Sequence, residues 1–368
     1  MGKYKVSVYA ICKDEEAFAR RWMESMREAD EVVVLDTGSQ DGTAALLRQL
    51  GARVQVEKIT PWRFDTARNR SLELVSRDTD ICVCTDLDEV FRPGWRQALE
   101  ESWQPGAGRA GYHYIWSFEP DGREGVSFRG EKIHSRHGWQ WTHPVHEVLA
   151  WVGEGRPGKW VEAVGVQLEH YPDHNKSRGQ YLPLLELSVE EDPHDDRNMH
   201  YLGREYFFQR RWDDCIRTLS RHLSMPRAVW ADERAASMRY MARSYEEKGD
   251  MARAESWFLS AVAQASHLRE TWLDLAMHLQ RRCQWDGVVY ATGRALDITR
   301  RPRTYITRGA DWGSLPWDLR SVALYHTGQL EKALEAAVEA QRLAGEDERI
   351  RRNTSLIQNE LRSRKMQD

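Results

Sequence analysis

The chain has 368 residues and a formal net charge of −4, with 53 Lys+Arg set against 57 Asp+Glu. That length predicts two domains, and so even a balance excludes a protein that holds nucleic acid by bulk electrostatics. No apolar run is long enough to cross a bilayer, and the opening MGKYKVSVYAICK lacks a secretion signal, so a soluble cytoplasmic protein is expected.

VSVYAI (6–11) reads as a buried strand, and the helix after it carries Phe18, Trp22 and Met26 on one face. EVVVLDTGS (31–39) is a second strand, ending at Asp36 before a glycine turn. DGTAALLRQLG is a helix with Asp41 near its N-cap and Gly51 past its end. ARVQVEKI is a third strand, FDTARNRSLELVS a helix, and TDICVCTDLDEV a fourth strand running into Asp86, Asp88 and Glu89. Strand–helix alternation of this kind predicts a parallel α/β sheet with ligands at the carboxyl ends of its strands. Asp36 and the acids stand at such ends.

On an extended segment Asp86 and Asp88 share a face, and like charges that close call for a cation or a ligand. No GxGxxG follows the first strand and no GxxxxGK[ST] occurs, which argues against a dinucleotide dehydrogenase and a P-loop NTPase. A divalent cation on Asp88, Mg²⁺ or Mn²⁺, is another way to hold phosphates. The five cysteines (12, 82, 84, 215, 283) are odd in number and without framework spacing, so they read as buried thiols of a reducing compartment. The sixteen tryptophans read mainly as core, with a minority free to stack on sugars or bases.

The ordered set VVVLDTGSQDGT, ARNRSLE and DLDEVF resembles the family-2 glycosyltransferases of GT-A (Rossmann-like) fold, over about residues 4–185. The resemblance implies a nucleotide-sugar donor, commonly a UDP-sugar, a divalent metal and inversion at the anomeric carbon. It implies that Asp36 contacts the base, Arg68 lies near the nucleotide, Asp86 faces the ribose or sugar and Asp88 binds the metal. Asp14-Glu15-Glu16 stands where the family often has Asn-Glu-Glu.

Residues 105–175 read as strands and turns rich in Gly, His and Trp. His134, His137, His143 and His146 cluster there, but HxxHE is not a zinc-protease HExxH. In PVHEVL the resemblance places the acceptor base, so Glu147 is the catalytic candidate, with His146, Trp139 and Trp141 on the acceptor side. An alternative for Glu147 is a salt bridge to His146. His170-Tyr171 fits the family's late histidine, a further metal ligand, although Pro172 replaces the usual Gly. Lys176 and Arg178 either steady the diphosphate or cap the next helix.

From about residue 198 helical periods take over. Four helix–turn–helix stretches align at Trp212, Met251, Trp285 and Leu330, at spacings of 39, 34 and 45. The middle spacing is the tetratricopeptide period, and RPRTYITRGADWGSLPWD is an insertion before the last repeat. The tail from Asn353 is polar and reads as a continued helix or a frayed end.

The expected architecture is therefore a GT-A domain over 1–190 and an all-α tetratricopeptide-like domain over 191–368. The pairing resembles bacterial transferases that glycosylate peptides, at Cys or Ser of bacteriocin precursors among others, and related transferases of phages and bacteria. It implies a peptide or protein acceptor presented by the repeats. A hydroxymethylated DNA base is the alternative acceptor, and an inactive scaffold the alternative of another class. The sugar, the nucleotide, the acceptor atom and the oligomeric state stay open.

Overall fold

Strand β1 (Val6–Cys12) is buried along its whole length because both faces of the sheet are covered. Its side chains alternate: Val6, Val8, Ala10 and Cys12 enter one core, while Tyr9 and Ile11 enter clusters on the other face. β2 (Glu31–Asp36) and β4 (Ile81–Cys84) repeat the pattern, with Val34, Ile81 and Val83 on one side and Val33, Leu35, Cys82 and Cys84 on the other. The computed structural model describes residues 2–119, 121–173 and 179–366, so Lys176 and Arg178 lie outside the described residues.

The chain divides into two compact units, Met1–Glu191 and Asp192–Asp368. In the first, β3 (Arg53–Val56), β2, β1 and β4 are parallel neighbours. The connecting helices are α1 (Glu16–Ser25), α2 (Thr43–Gln49) and α3 (Phe64–Glu73). The sheet then continues with β7 (Ser127–Ser135), β6 (Ala107–Ile115), β10 (Lys159–His170) and the short β5 (Glu89–Phe91). β7 runs antiparallel to β4 and β6, and β5 antiparallel to β10. The sheet is thus mixed and eight-stranded where the sequence pattern suggested a parallel one. The irregular 105–175 stretch supplies its second half. β8 (Trp139–Thr142) and β9 (Val148–Trp151) form a separate hairpin, and α4 (Trp95–Ser102) and α5 (Tyr181–Glu191) complete the unit.

The second unit is built of helical hairpins: α6 (Asp196–Phe208) with α7 (Trp212–Ser224), α8 (Ala231–Glu247) with α9 (Met251–Gln264), α10 (Arg269–Arg281) with α11 (Trp285–Leu296), and α12 (Leu315–His326) with α13 (Leu330–Ala344). The four second helices begin at Trp212, Met251, Trp285 and Leu330, the residues on which the repeats align. Two positions before each start the backbone is left-handed, at Arg210, Gly249, Cys283 and Gly328. The next N–H of each turn donates back to the carbonyl five residues earlier, from Arg211, Asp250, Gln284 and Gln329, at 2.9 Å in all four. This is one helix-ending turn used four times, with glycine at only two of its left-handed positions. Buried alanines on α9, α11 and α13 allow the helices close approach. α14 (Glu348–Lys365) closes the unit, its N-cap Asp347 accepting from Ile350 N at 3.0 Å. The stretch read as a polar tail from Asn353 belongs to this helix.

Candidate active site

β4 ends at Cys84, and the chain turns before re-entering the sheet as β5, so the acids occupy a turn rather than a continued strand. Trp22 of α1 anchors the turn, its indole N–H donating to Thr85 Oγ1 at 3.1 Å in the core. The expectation that Asp86 and Asp88 share a face fails for this reason: the turn sends them to different partners.

Asp86 sits between two cations. Its Oδ1 accepts from Arg68 Nη2 at 2.8 Å, and its Oδ2 from Lys132 Nζ at 2.9 Å. Burial works against the charged carboxylate, but the two cations outweigh it and hold its pKa well below the usual range. Lys132 also reaches Glu89 Oε1 at 3.2 Å. Glu89 is buried, takes the Tyr114 hydroxyl at 2.7 Å, and accepts the backbone N–H of Asp86 at 2.9 Å. Burial pushes its pKa up. The relief of charge expected from a bound cation is therefore supplied, for two of the three acids, by Arg68 and Lys132. Lys132 comes from β7, beside β4 in the sheet and 46 residues away in sequence, and nothing in the local motif marks it.

Asp88 has a different neighbour. Its Oδ2 lies 3.4 Å from Nε2 of His170, the last residue of β10, and the pairing of His170 with Glu89 across β10 and β5 brings the two together. The Tyr171 N–H donates to the Asp88 carbonyl at 2.8 Å and fixes the approach. His170 Nδ1 donates to the Trp116 carbonyl at 3.0 Å, and the ring stacks on Trp116 with centroids 4.3 Å apart. A histidine whose Nδ1 proton is committed presents the lone pair of Nε2, the form a metal ligand requires. Asp88 and His170 thus fit a divalent cation.

Asp36 ends β2 fully buried. Its Oδ1 accepts from Gly38 N at 2.9 Å and Ser39 N at 2.7 Å, a tight loop that the positive φ of Gly38 permits. Its Oδ2 is buried without an N–H or O–H donor, beside the Cys12 thiol. A buried carboxylate oxygen left so is a place for a ligand's donor.

Glu147 lies in the loop after β8, in an ion pair with Arg68 Nε. Arg68 thus ties Glu147 and Asp86 together. His143 and His146 both have positive φ, a strained backbone for residues with side chains. The His146 ring packs near Tyr181 at 5.9 Å.

Of the two tryptophans of the acceptor-side set, Trp141 is built into the core and Trp139 is half-buried beside it. Trp141 is 3% exposed, covers Arg68 with its ring, and donates from Nε1 to the Tyr9 hydroxyl at 2.9 Å. Tyr9 in turn reaches His134 Nε2 at 2.7 Å, and His134 Nδ1 reaches the Ser135 carbonyl at 2.8 Å. Trp139 is half-buried, bonded to Ser135 Oγ at 3.1 Å and packed edge-on against Trp151. The Trp141 ring is covered and offers no open platform, while Trp139 keeps part of its surface exposed.

Residues 7–137 match the family model described as glycosyl transferase family 2. Asp36, Arg68, Asp86, Asp88 and Lys132 lie inside that stretch, and Glu147 and His170 beyond it. The chain is 33% identical over 101 residues to the lipopolysaccharide core biosynthesis glycosyltransferase LpsC of Rhizobium meliloti, covering 27% of this chain and 37% of the relative. It is 31% identical over 106 residues to a TPR repeat-containing protein of Synechococcus elongatus, covering 28% and 25%. The chain thus spans well under half the length of these curated relatives. Among solved structures, pilF of Pseudomonas aeruginosa aligns with 48% of this chain and 72% of its own at 11% identity, with a TM-score of 0.38. The match to a family-2 glycosyltransferase domain thus falls within the first unit, and the helical hairpins of the second unit follow it. Among the described residues no helix is long and apolar enough to cross a membrane.

Proposed function

We propose that the chain is a metal-dependent inverting glycosyltransferase that moves a sugar from a nucleotide-sugar, a UDP-sugar first among them, to a peptide or protein. The observation that carries this reading is the family-2 match over 7–137, with Asp36, Asp86 and Asp88 at the carboxyl ends of its strands. In this reading the free oxygen of Asp36 accepts from the base. Arg68 and Lys132 hold Asp86 ionised and aimed at the ribose or sugar. Mn²⁺ or Mg²⁺ on Asp88 and His170 would offset the charge that grows on the leaving diphosphate. Glu147, oriented by Arg68, takes the acceptor's proton while its oxygen, sulfur or nitrogen bonds to C1. The bond from C1 to the diphosphate breaks on the opposite face, and the diphosphate leaves with the electron pair.

The repeats support a peptide or protein acceptor, since stacked hairpins form surfaces suited to chains. A saccharide acceptor is the second reading, supported by the name of the R. meliloti relative.

The test is thermal unfolding with UDP-, GDP- and dTDP-sugars, each with and without Mn²⁺. A ligand bound only by the folded state raises Tm by mass action. One nucleotide is expected to do so in the presence of metal, and Asp88→Ala to abolish the metal-dependent part. No shift with any nucleotide overturns the reading. The donor so identified, offered to peptide libraries and to core oligosaccharides, decides the acceptor.

A further inference from the structure

Three helices of the second unit share one end. Asp196 lies in the first turn of α6, His222 in the last turn of α7, and Glu233 in the first turn of α8. One ligand atom from each lies within 4.8 Å of the other two. His222 and Glu233 are buried, and Asp196 is half-buried on the open side.

The bonding around His222 is incomplete. Its Nε2 is buried without a hydrogen-bond partner, 3.4 Å from Glu233 Oε1. Its Nδ1 lies 3.0 Å from Ser237 Oγ. That hydroxyl also lies 2.7 Å from His200 Nδ1, so it can accept from His222 and donate to His200. With that assignment Nε2 aims a bare lone pair at a carboxylate. Glu233 commits Oε2 to the Tyr305 hydroxyl and leaves Oε1 facing the same space. A lone pair and a carboxylate oxygen repel unless a cation lies between them. A 3.4 Å separation is long for a hydrogen bond. It matches the roughly 3.3 Å edge between two ligands held about 2.0–2.1 Å from a tetrahedral ion.

We propose that Asp196, His222 and Glu233 bind a divalent transition ion of the zinc class. One imidazole and two carboxylates suit Zn²⁺ better than Mg²⁺, which prefers oxygen alone. Ser237 is the partner that sets the imidazole tautomer. Three protein ligands leave a fourth position for water, reached past Asp196. The ion pins α6, α7 and α8 together at the start of the repeats. This site belongs to the other structural unit from Asp88 and His170, and it stands whether or not the transferase reading does.

The experiment uses the full chain as Asp88→Ala, which removes the carboxylate ligand of the first unit. The protein is stripped with chelator and dialysed against Zn²⁺ or Mg²⁺. One zinc per chain is expected, with a rise in Tm for Zn²⁺ and none for Mg²⁺. His222→Gln and Asp196→Asn in the same background are expected to weaken zinc binding at least about 10-fold. Asp196→Asn keeps the shape of a half-buried residue, so it decides the matter if His222→Gln does not fold. Absence of bound zinc, or equal retention by a folded Asp196→Asn protein, overturns the proposal.

Discussion

Lys132 Nζ lies 2.9 Å from Asp86 Oδ2, one of the contacts by which the turn after β4 tolerates Asp86 and Glu89. Lys132 bridges Asp86 and Glu89 while Arg68 holds the other oxygen of Asp86. Lys132→Met leaves the buried Glu89 and half of Asp86 without a cation. The expected loss is about 2–3 kcal/mol, below the roughly 3–5 kcal/mol of a fully buried pair, because Asp86 is 32% exposed. Urea unfolding measures it. Adding Glu89→Gln is expected to recover part of the loss, and a double variant as unstable as the two losses summed would refute the bridge.

Arg68 holds Glu147 through Nε and Asp86 through Nη2. Lysine cannot hold two carboxylates in a fixed fork. Under the proposed function, Arg68→Lys is expected to lower kcat at least about 10-fold by misorienting the base, while Glu147→Gln removes the base and costs about 10²–10⁴ in kcat. Donor-induced Tm shifts should survive in Glu147→Gln. A Glu147→Gln protein with near-normal kcat rules Glu147 out as the base.

The chain Trp141 Nε1–H to Tyr9 Oη–H to His134 Nε2 is buried from end to end. Tyr9→Phe strands an indole donor and an imidazole acceptor, at an expected cost of about 1–3 kcal/mol. Replacement of an oxygen by hydrogen changes little in shape, so an unchanged urea midpoint would mean the network contributes nothing net.

Burial pushes His134 down to about 3, so the folded protein keeps it neutral where the unfolded chain binds a proton. The folded pKa lies below the ordinary value, so this contribution is full above about pH 6.5 and is lost as pH falls from there toward 3. The slope is about 1.4 kcal/mol per pH unit at its steepest. Unfolding free energy followed from pH 7 to pH 4 should fall less steeply in a folded His134→Gln variant. Parallel curves would show that His134 does not set the acid limit.

The parallel half of the sheet was legible because β1, β2 and β4 carry apolar runs, which burial on both faces explains, and the edge strand β3 follows in the same strand–helix alternation. The second half was legible as strands but not in its order or direction, because β6, β7 and β10 alternate with polar residues and their partners are distant in sequence. Asp36, Asp86 and Asp88 were legible as acids at strand ends. Their partners were not: Lys132 and Tyr114 reach the turn only through the order of the strands, and Trp141 looked available until the structure showed it buried. The metal-capable trio of α6, α7 and α8 left no sequence signal, since its residues lie 26 and 11 positions apart on three helices.

The repeats were found by aligning turns, and the turns themselves carry the last prediction. Cys283 and Arg210 adopt the left-handed conformation that Gly249 and Gly328 adopt without strain. That conformation costs a residue with a side chain roughly 1–2 kcal/mol. Glycine at the same place loses about 0.5–1 kcal/mol in greater freedom of the unfolded chain. Cys283→Gly should therefore gain roughly 0.5–1 kcal/mol, its thiol being exposed and unneeded for packing. Gly249→Ala and Gly328→Ala should lose about the same amount. Neither glycine meets a neighbouring atom where a Cβ would sit, so any loss reports backbone strain alone. Thermal unfolding of the three variants provides the measurement. A destabilised Cys283→Gly together with unaffected alanine variants would mean that the shared turn does not govern where these helices end.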